Sequence, residues 1–211
     1  SNDVAKIGKK EVTKMILNPN VNPSDYILNR DEFGYEVYDN NDGVPFNWIE
    51  IEESDRNYIY LSDDSGEWID LSFEMPFYGE FYTSVSVSSN GWLSFDLGDF
   101  YQGSIWSTPL PSYDNYAPPA TIAVYALDGY PNDFGTVYYR QDDNHIVITY
   151  ENWGYCCNEE SFYSMQVLLH ADGRIKLQYD NIYQNSIEYY GNDEYTDATI
   201  GIQNADRNDG I

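Results

Sequence analysis

The sequence predicts an all-β protein: a single antiparallel two-sheet β-sandwich over residues 31–211, preceded by an N-terminal arm of residues 1–30. Three observations predict it. Short segments alternate apolar with polar residues along nearly the whole chain, clusters of Asp, Asn, Ser and Gly separate them, and helical periodicity is almost absent. Many short strands with hairpin punctuation and no crossover helices indicate two antiparallel sheets packed face to face.

Taken in order, only Val12 to Leu17 could pass for a helical turn, and Asn18-Pro19 ends it. Strands are expected at Ile49–Ile51, Tyr58–Leu61, Ile69–Phe73, Ser84–Ser88, Trp92–Phe95, Ile122–Ala126, Gly135–Arg140, His145–Tyr150, Ser161–His170, Arg174–Tyr179 and Ala198–Gln203. Turn signals stand at Asp64-Ser-Gly66, Asn90-Gly91, Asp142-Asp-Asn144 and Ala171-Asp-Gly173. In PFYGEFYTSVSVSSNGWLSF, residues 76–95, Val85, Val87, Leu93 and Phe95 fall on one face, and Ser84, Ser86, Ser88 and Ser94 fall on the other. Asn90-Gly91 supplies the positive φ angles of a tight turn, so Asn90 reads as a turn residue and the hairpin as a builder of the core.

Composition narrows the class. At 211 residues the chain can bury roughly 70% of its unfolded surface without a disulfide framework. Asp and Glu total 36 against 10 Lys and Arg, for a net charge of −26. Such a polyanion repels nucleic acid and anionic lipid and attracts divalent cations or a basic partner. A solvated surface suited to a salty or cold habitat is the plainer account of the same charge. Half of the basic residues (Lys6, Lys9, Lys10, Lys14 and Arg30) lie in the arm, so the arm is itself a candidate partner for the body. The 22 tyrosines are far above ordinary usage, and a ring with a polar tip suits contact surfaces. No apolar run approaches the roughly 20 residues of a membrane span, and the start at Ser1 suggests a mature or trimmed product. Cys156 and Cys157 are adjacent and are the only cysteines. They form either a strained vicinal disulfide, the expectation in an extracellular setting, or two thiols, and they exclude a four-cysteine zinc site.

The segment PFYGEFYTSVSVSSNGWLSF resembles the signature of the nidogen-type extracellular (NIDO-like) module. Further matches follow in order: TIAVYALD at 121–128, GTVYYR at 135–140, IVITYENW at 146–153, FYSMQVLLHADGRIKLQYDNI at 162–182 and ATIGIQNADRNDG at 198–210, with GYEVYDNNDGVPFNWIEI at 34–51 as the lead-in. The resemblance implies an extracellular β-sandwich, found in secreted bacterial and archaeal proteases and surface proteins, that serves as an accessory or adhesion module. It brings no catalytic residue set. Two departures stand out. Val124, Tyr125 and Ala126 replace the usual Pro-Phe-Trp of the central strand, and relatives continue past ATIGIQN into one more apolar strand. Without that strand the resemblance leaves an unpaired edge and an open core groove to be filled.

Enzyme motifs are missing: there is no GxSxG, HExxH, P-loop or GxGxxG. His145 and His170 sit beside hairpin turns and read as structural, and neither lies near the cysteines in sequence. Calcium is the candidate cofactor, because Asp, Asn and carbonyl groups clustered in loops supply hard oxygen ligands. The candidate ligands are Asp63, Asp64, Glu67, Asp128, Asp133, Asp193 and Asp197, none at EF-hand spacing. An aromatic platform for a glycan or protein would use Tyr101, Trp106, Tyr113 and Tyr116 in the long loop from Leu97 to Pro119, with Trp153 and Tyr155 beside the cysteines. The same rings could instead seal the sandwich ends.

The expected function is a non-enzymatic extracellular structural or adhesive surface protein, self-assembling through donation of the arm with Val12, Met15, Ile16 and Leu17 as its apolar contacts. The alternative is a glycan- or protein-binding accessory domain of a secreted protease or adhesin.

Overall fold

A computed structural model describes residues 30–105, 108–112, 116–156, 158–183 and 198–211. Its strands are β1 (Asn57–Ile59), β2 (Gly66–Phe77), β3 (Glu80–Ser88), β4 (Trp92–Ser94), β5 (Thr121–Ala126), β6 (Gly129–Tyr130), β7 (Thr136–Gln141), β8 (His145–Tyr155), β9 (Asn158–His170), β10 (Ile175–Tyr183) and β11 (Thr199–Gln203). They make two sheets, β1-β7-β8-β9-β10 with β6 beside β8, and β11-β5-β4-β3-β2. Every pairing is antiparallel. The all-β sandwich is therefore as the period-two pattern requires. The possible helical turn at Val12 to Leu17 lies outside the described residues.

The main core fills the space between the sheets. Val85, Val87, Leu93, Phe95, Ile122 and Val124 face Ile146, Ile148, Tyr150, Met165, Val167 and Leu169. The hairpin alternation thus holds, but its serine face is not solvated: Ser86, Ser88 and Ser94 are wholly buried. The long loop after β4 crosses that face. Its Leu97, Ile105 and Ala117 pack on Trp92, Ala123 and Ala126, and the Trp92 indole donates to the Gly103 carbonyl at 3.0 Å.

The outer face of the other sheet is also covered. The segment expected as a strand at Ile49–Ile51 is instead an extended strap, and it pairs with side chains. Gln166 Oε1 accepts from Ile49 N at 3.1 Å, and its Nε2 donates back to Ile49 O at 2.8 Å. Gln178 makes the same exchange with Asn47, at 2.7 and 2.9 Å. Two glutamine amides therefore satisfy backbone groups that a neighbouring strand would otherwise satisfy. Ile49 and Ile51 then bury Tyr138, Val147 and Leu168, which explains why β8 reads apolar on both faces.

The expected bare edge at β11 is corrected. The chain doubles back after Gln203, and Ile202 and Ile211 exchange backbone hydrogen bonds of 2.7 and 3.0 Å. Ile202 and Ile211 also pack on the main core, so the groove expected there is filled from within the chain. Residues 31–35 join the same corner, since Glu32 N and Phe33 N donate to the Asp209 carboxylate at 3.0 and 2.7 Å.

Candidate functional site

One end of the sandwich gathers five chain segments around the β3–β4 turn. Within Ser-Asn-Gly only Gly91 takes a positive φ, 74°, and a Cβ there would overlap the Tyr125 carbonyl oxygen. The backbone requirement falls on the glycine, which leaves the Asn90 side chain for another task. Asn90 is wholly buried. Its Nδ2 donates to Asp64 Oδ1 at 2.9 Å and to the Gln102 carbonyl at 2.8 Å, while its Oδ1 accepts from Gly129 N at 2.8 Å. Asn90 is thus more than the turn residue that its dipeptide suggests.

This staple positions acids from separate loops. Ligand atoms of Asp63 and Asp64, in the turn between β1 and β2, and of Asp128, between β5 and β6, all lie within 4.8 Å of one another. The second Asp64 oxygen accepts from the Tyr101 hydroxyl at 2.9 Å. Burial pushes the Asp128 carboxyl up from its ordinary range; the Cys156 thiol opposes this with a hydrogen bond, and the negative charges of Asp64 and Asp63 add to the rise. Arginines pair elsewhere: Arg56 with Glu151, Arg174 with Asp172 and Arg30 with Glu36. Three carboxylates in this setting can hold a hard cation.

Beneath them lies a buried aromatic floor. The Trp153 indole donates to Ser89 O at 2.8 Å and the Tyr150 hydroxyl to Ser88 O at 2.6 Å, so each fixes the turn from below. Tyr163 is only 2% exposed, and its hydroxyl has no hydrogen-bond partner among the described residues. That hydroxyl faces Gly129, where an added Cβ would stand 2.7 Å away.

The expected ligands separate accordingly. Asp63, Asp64 and Asp128 come together, whereas Glu67 is exposed on β2 and Asp133 is exposed after β6, both outside the cluster. Asp193 and Asp197 lie outside the described residues. The aromatic platform is corrected at Trp153, which is buried because its indole closes the floor of the turn. Tyr101 and Tyr116 are each 68% exposed and Tyr155 is half-buried; Trp106 and Tyr113 lie outside the described residues. Cys156 stands as a thiol against Asp128, and the expected pairing with Cys157 lies outside the described residues. Asn90 and Tyr163 are the site residues that sequence reasoning missed. A signal existed for Asn90, because Gly91 alone can supply the turn's left-handed residue. None existed for Tyr163 among 22 tyrosines.

Among the described residues the histidines stack on each other across β8 and β9, with ring centroids 5.7 Å apart, and His145 Nδ1 bonds Asp142 at 3.1 Å. No helix among them is long and apolar enough to cross a membrane.

No solved structure matches the chain. The family model for NIDO-related domains matches residues 41–210, and the chain belongs to that NIDO-related family.

Proposed function

We propose that the protein is a non-enzymatic extracellular structural or adhesive module that self-assembles by adding its N-terminal arm to the outer edge of β10 in a neighbouring copy. NIDO-related membership supports the extracellular setting. The observation that carries the assembly reading is how the sheet edges are closed. At β11 the edge is covered by Gly210 and Ile211. On β2 it is clamped by Gln141, whose amide donates to Asp70 O and accepts from Ser72 N, both at 3.0 Å. β1 is three residues long. β10 offers nine residues and, among the described residues, no strand beyond it. A basic arm with Val12, Met15, Ile16 and Leu17 suits an acidic body presenting such an edge. A head-to-tail contact of this kind makes filaments when it does not close.

Light scattering on the full chain after size exclusion tests this reading. The native protein should elute as a concentration-dependent oligomer, and an Ile16→Asp, Leu17→Asp double variant as a folded monomer. Monomers in both, up to high concentration, would remove strand donation. The second reading, a glycan- or protein-binding accessory domain, is favoured by Tyr101, whose exposed ring stands beside the acidic cluster. Loss of ligand retention in Tyr101→Ala, on a glycan array or a surface-protein column, would support it.

A further inference from the structure

We propose that Asp63, Asp64 and Asp128 form a calcium site that fastens the two sheets together at this end of the sandwich, with the Tyr163 hydroxyl completing it from below. Calcium takes six to eight oxygens at about 2.3–2.6 Å, so ligands on opposite sides of the ion stand roughly 4.8 Å apart. The three carboxylates span no more than that distance. Magnesium, at about 2.0–2.1 Å, demands a tighter octahedron.

Acidic side chains alone would not make a site. Here the carboxylates are aimed and crowded at a cost. Asp64 is oriented by Asn90 on one oxygen and by Tyr101 on the other. Asp128 is half-buried, with its carboxylate within 4.8 Å of those of Asp64 and Asp63. Neutral donors thus hold like charges together, an arrangement that a divalent cation reverses from repulsive to attractive.

The independent observation is Tyr163. A buried hydroxyl without a partner is costly and rare. This one faces Gly129, the residue that follows Asp128, and the nearby Gly129 N–H is already taken by Asn90. An ion given three protein carboxylates keeps part of its water, and a water on its inner side supplies the missing partner. The placement also makes structural sense: Asp128 follows β5 of one sheet and precedes β6 of the other, while the Asp63-Asp64 turn leads into β2. Occupancy would tie that crossover to an edge strand. The test reads metal binding and not oligomeric state, so its outcome is separate from that of the assembly test.

The test uses the full chain, freed of metal by chelation and titrated with calcium chloride at constant ionic strength. It follows thermal unfolding and the competition of calcium against tyrosine-sensitised terbium luminescence. Saturable calcium binding with a Kd of roughly 0.1–1 mM is expected, the range of extracellular modules. Asp128→Asn and Asp63→Asn should each weaken it tenfold or more, and Asp63 is exposed enough that its variant folds normally. Tyr163→Phe should leave the metal-free unfolding midpoint unchanged or raised, because it removes an orphaned hydroxyl, yet weaken calcium severalfold. The proposal is overturned by the absence of a saturable response below about 10 mM, by an equal response to magnesium, or by unchanged affinity in Asp63→Asn. Unchanged affinity in Tyr163→Phe would overturn the hydroxyl's part in it.

Discussion

Asn90→Ala separates a turn residue from a staple. The substitution deletes three side-chain hydrogen bonds, to Asp64, Gln102 and Gly129, and leaves the buried Gly129 N–H without its acceptor. At about 1 kcal/mol per bond, with a further 1–2 kcal/mol for the stranded donor, the loss is about 4–5 kcal/mol. In a chain of this size each kcal/mol moves the midpoint by about 2–4 °C, so thermal unfolding should shift down by roughly 8–20 °C. Urea unfolding gives the free energy directly. Asn90→Asp keeps the acceptor for Gly129 but turns a second carboxylate toward Asp64, so its loss should be larger at pH 7 than at pH 4, where protonation restores a donor. Because only Gly91 has positive φ, a mere turn role predicts a loss of a few tenths of a kcal/mol for Asn90→Ala. A measured loss below about 1 kcal/mol would refute the staple.

Gln166→Ala should release the strap by stranding Ile49 N and O, costing about 2–3 kcal/mol and speeding amide exchange at Ile49; unchanged exchange there would contradict the side-chain pairing. Gln141→Ala should unmask Asp70 and Ser72 on the β2 edge with little loss of stability, and thioflavin-positive aggregation should rise; equal aggregation would mean that the amide does not guard the edge. His170 is partly buried and feels Arg174, so its folded pKa lies below the 6.5 of an unperturbed ring. Asp172 opposes this, while His145 and Lys176 reinforce it. The sign follows: its contribution to stability is full above pH 6.5 and is lost as pH falls through the folded midpoint. Proton NMR should place the His170 midpoint below 6.5, and a value at or above it would contradict the burial argument.

Most of the strand framework is legible in the sequence because alternation is a local property: β3, β5, β8 and β9 contain the segments expected for them, and β4 and β7 match theirs except at Phe95 and Gly135. What covers the outer faces is not local. Ser86 and Ser88 read as the face opposite the core, and their burial is not legible because period two reports which side a residue takes, not what lies over that side. Ile49–Ile51 reads as a strand, yet Ile49 and the nearby Asn47 take as partners glutamine side chains 117 and 131 residues away. β6, two residues long, carries no periodicity to detect. The acids were visible as loop residues, but only the crossover from β5 to β6 brings Asp128 to Asp63 and Asp64.

The glutamines carry a wider consequence for how a chain of charge −26 keeps itself folded. A carboxylate that holds a loop, as Asp209 holds Glu32 and Phe33, adds to the body's negative charge, and basic residues are scarce. Neutral amides, which donate and accept at once, are used instead: Gln166 and Gln178 hold the strap, Gln203 accepts from Ser112 N at 2.7 Å and donates to Pro118 O at 2.7 Å to hold the long loop, and Asn90 holds the acidic turn. Each joins segments far apart in sequence and each acts on backbone, so its geometry is insensitive to salt. Single acids hold backbone too, Asp31 at Gly34 and Tyr35 and Asp209 at Glu32 and Phe33, but at Asp63, Asp64 and Asp128 three carboxylates are brought together, with amide and hydroxyl donors on Asp64. A fold that leans on neutral amides elsewhere crowds three carboxylates here, and an ion is what would make that contact favourable.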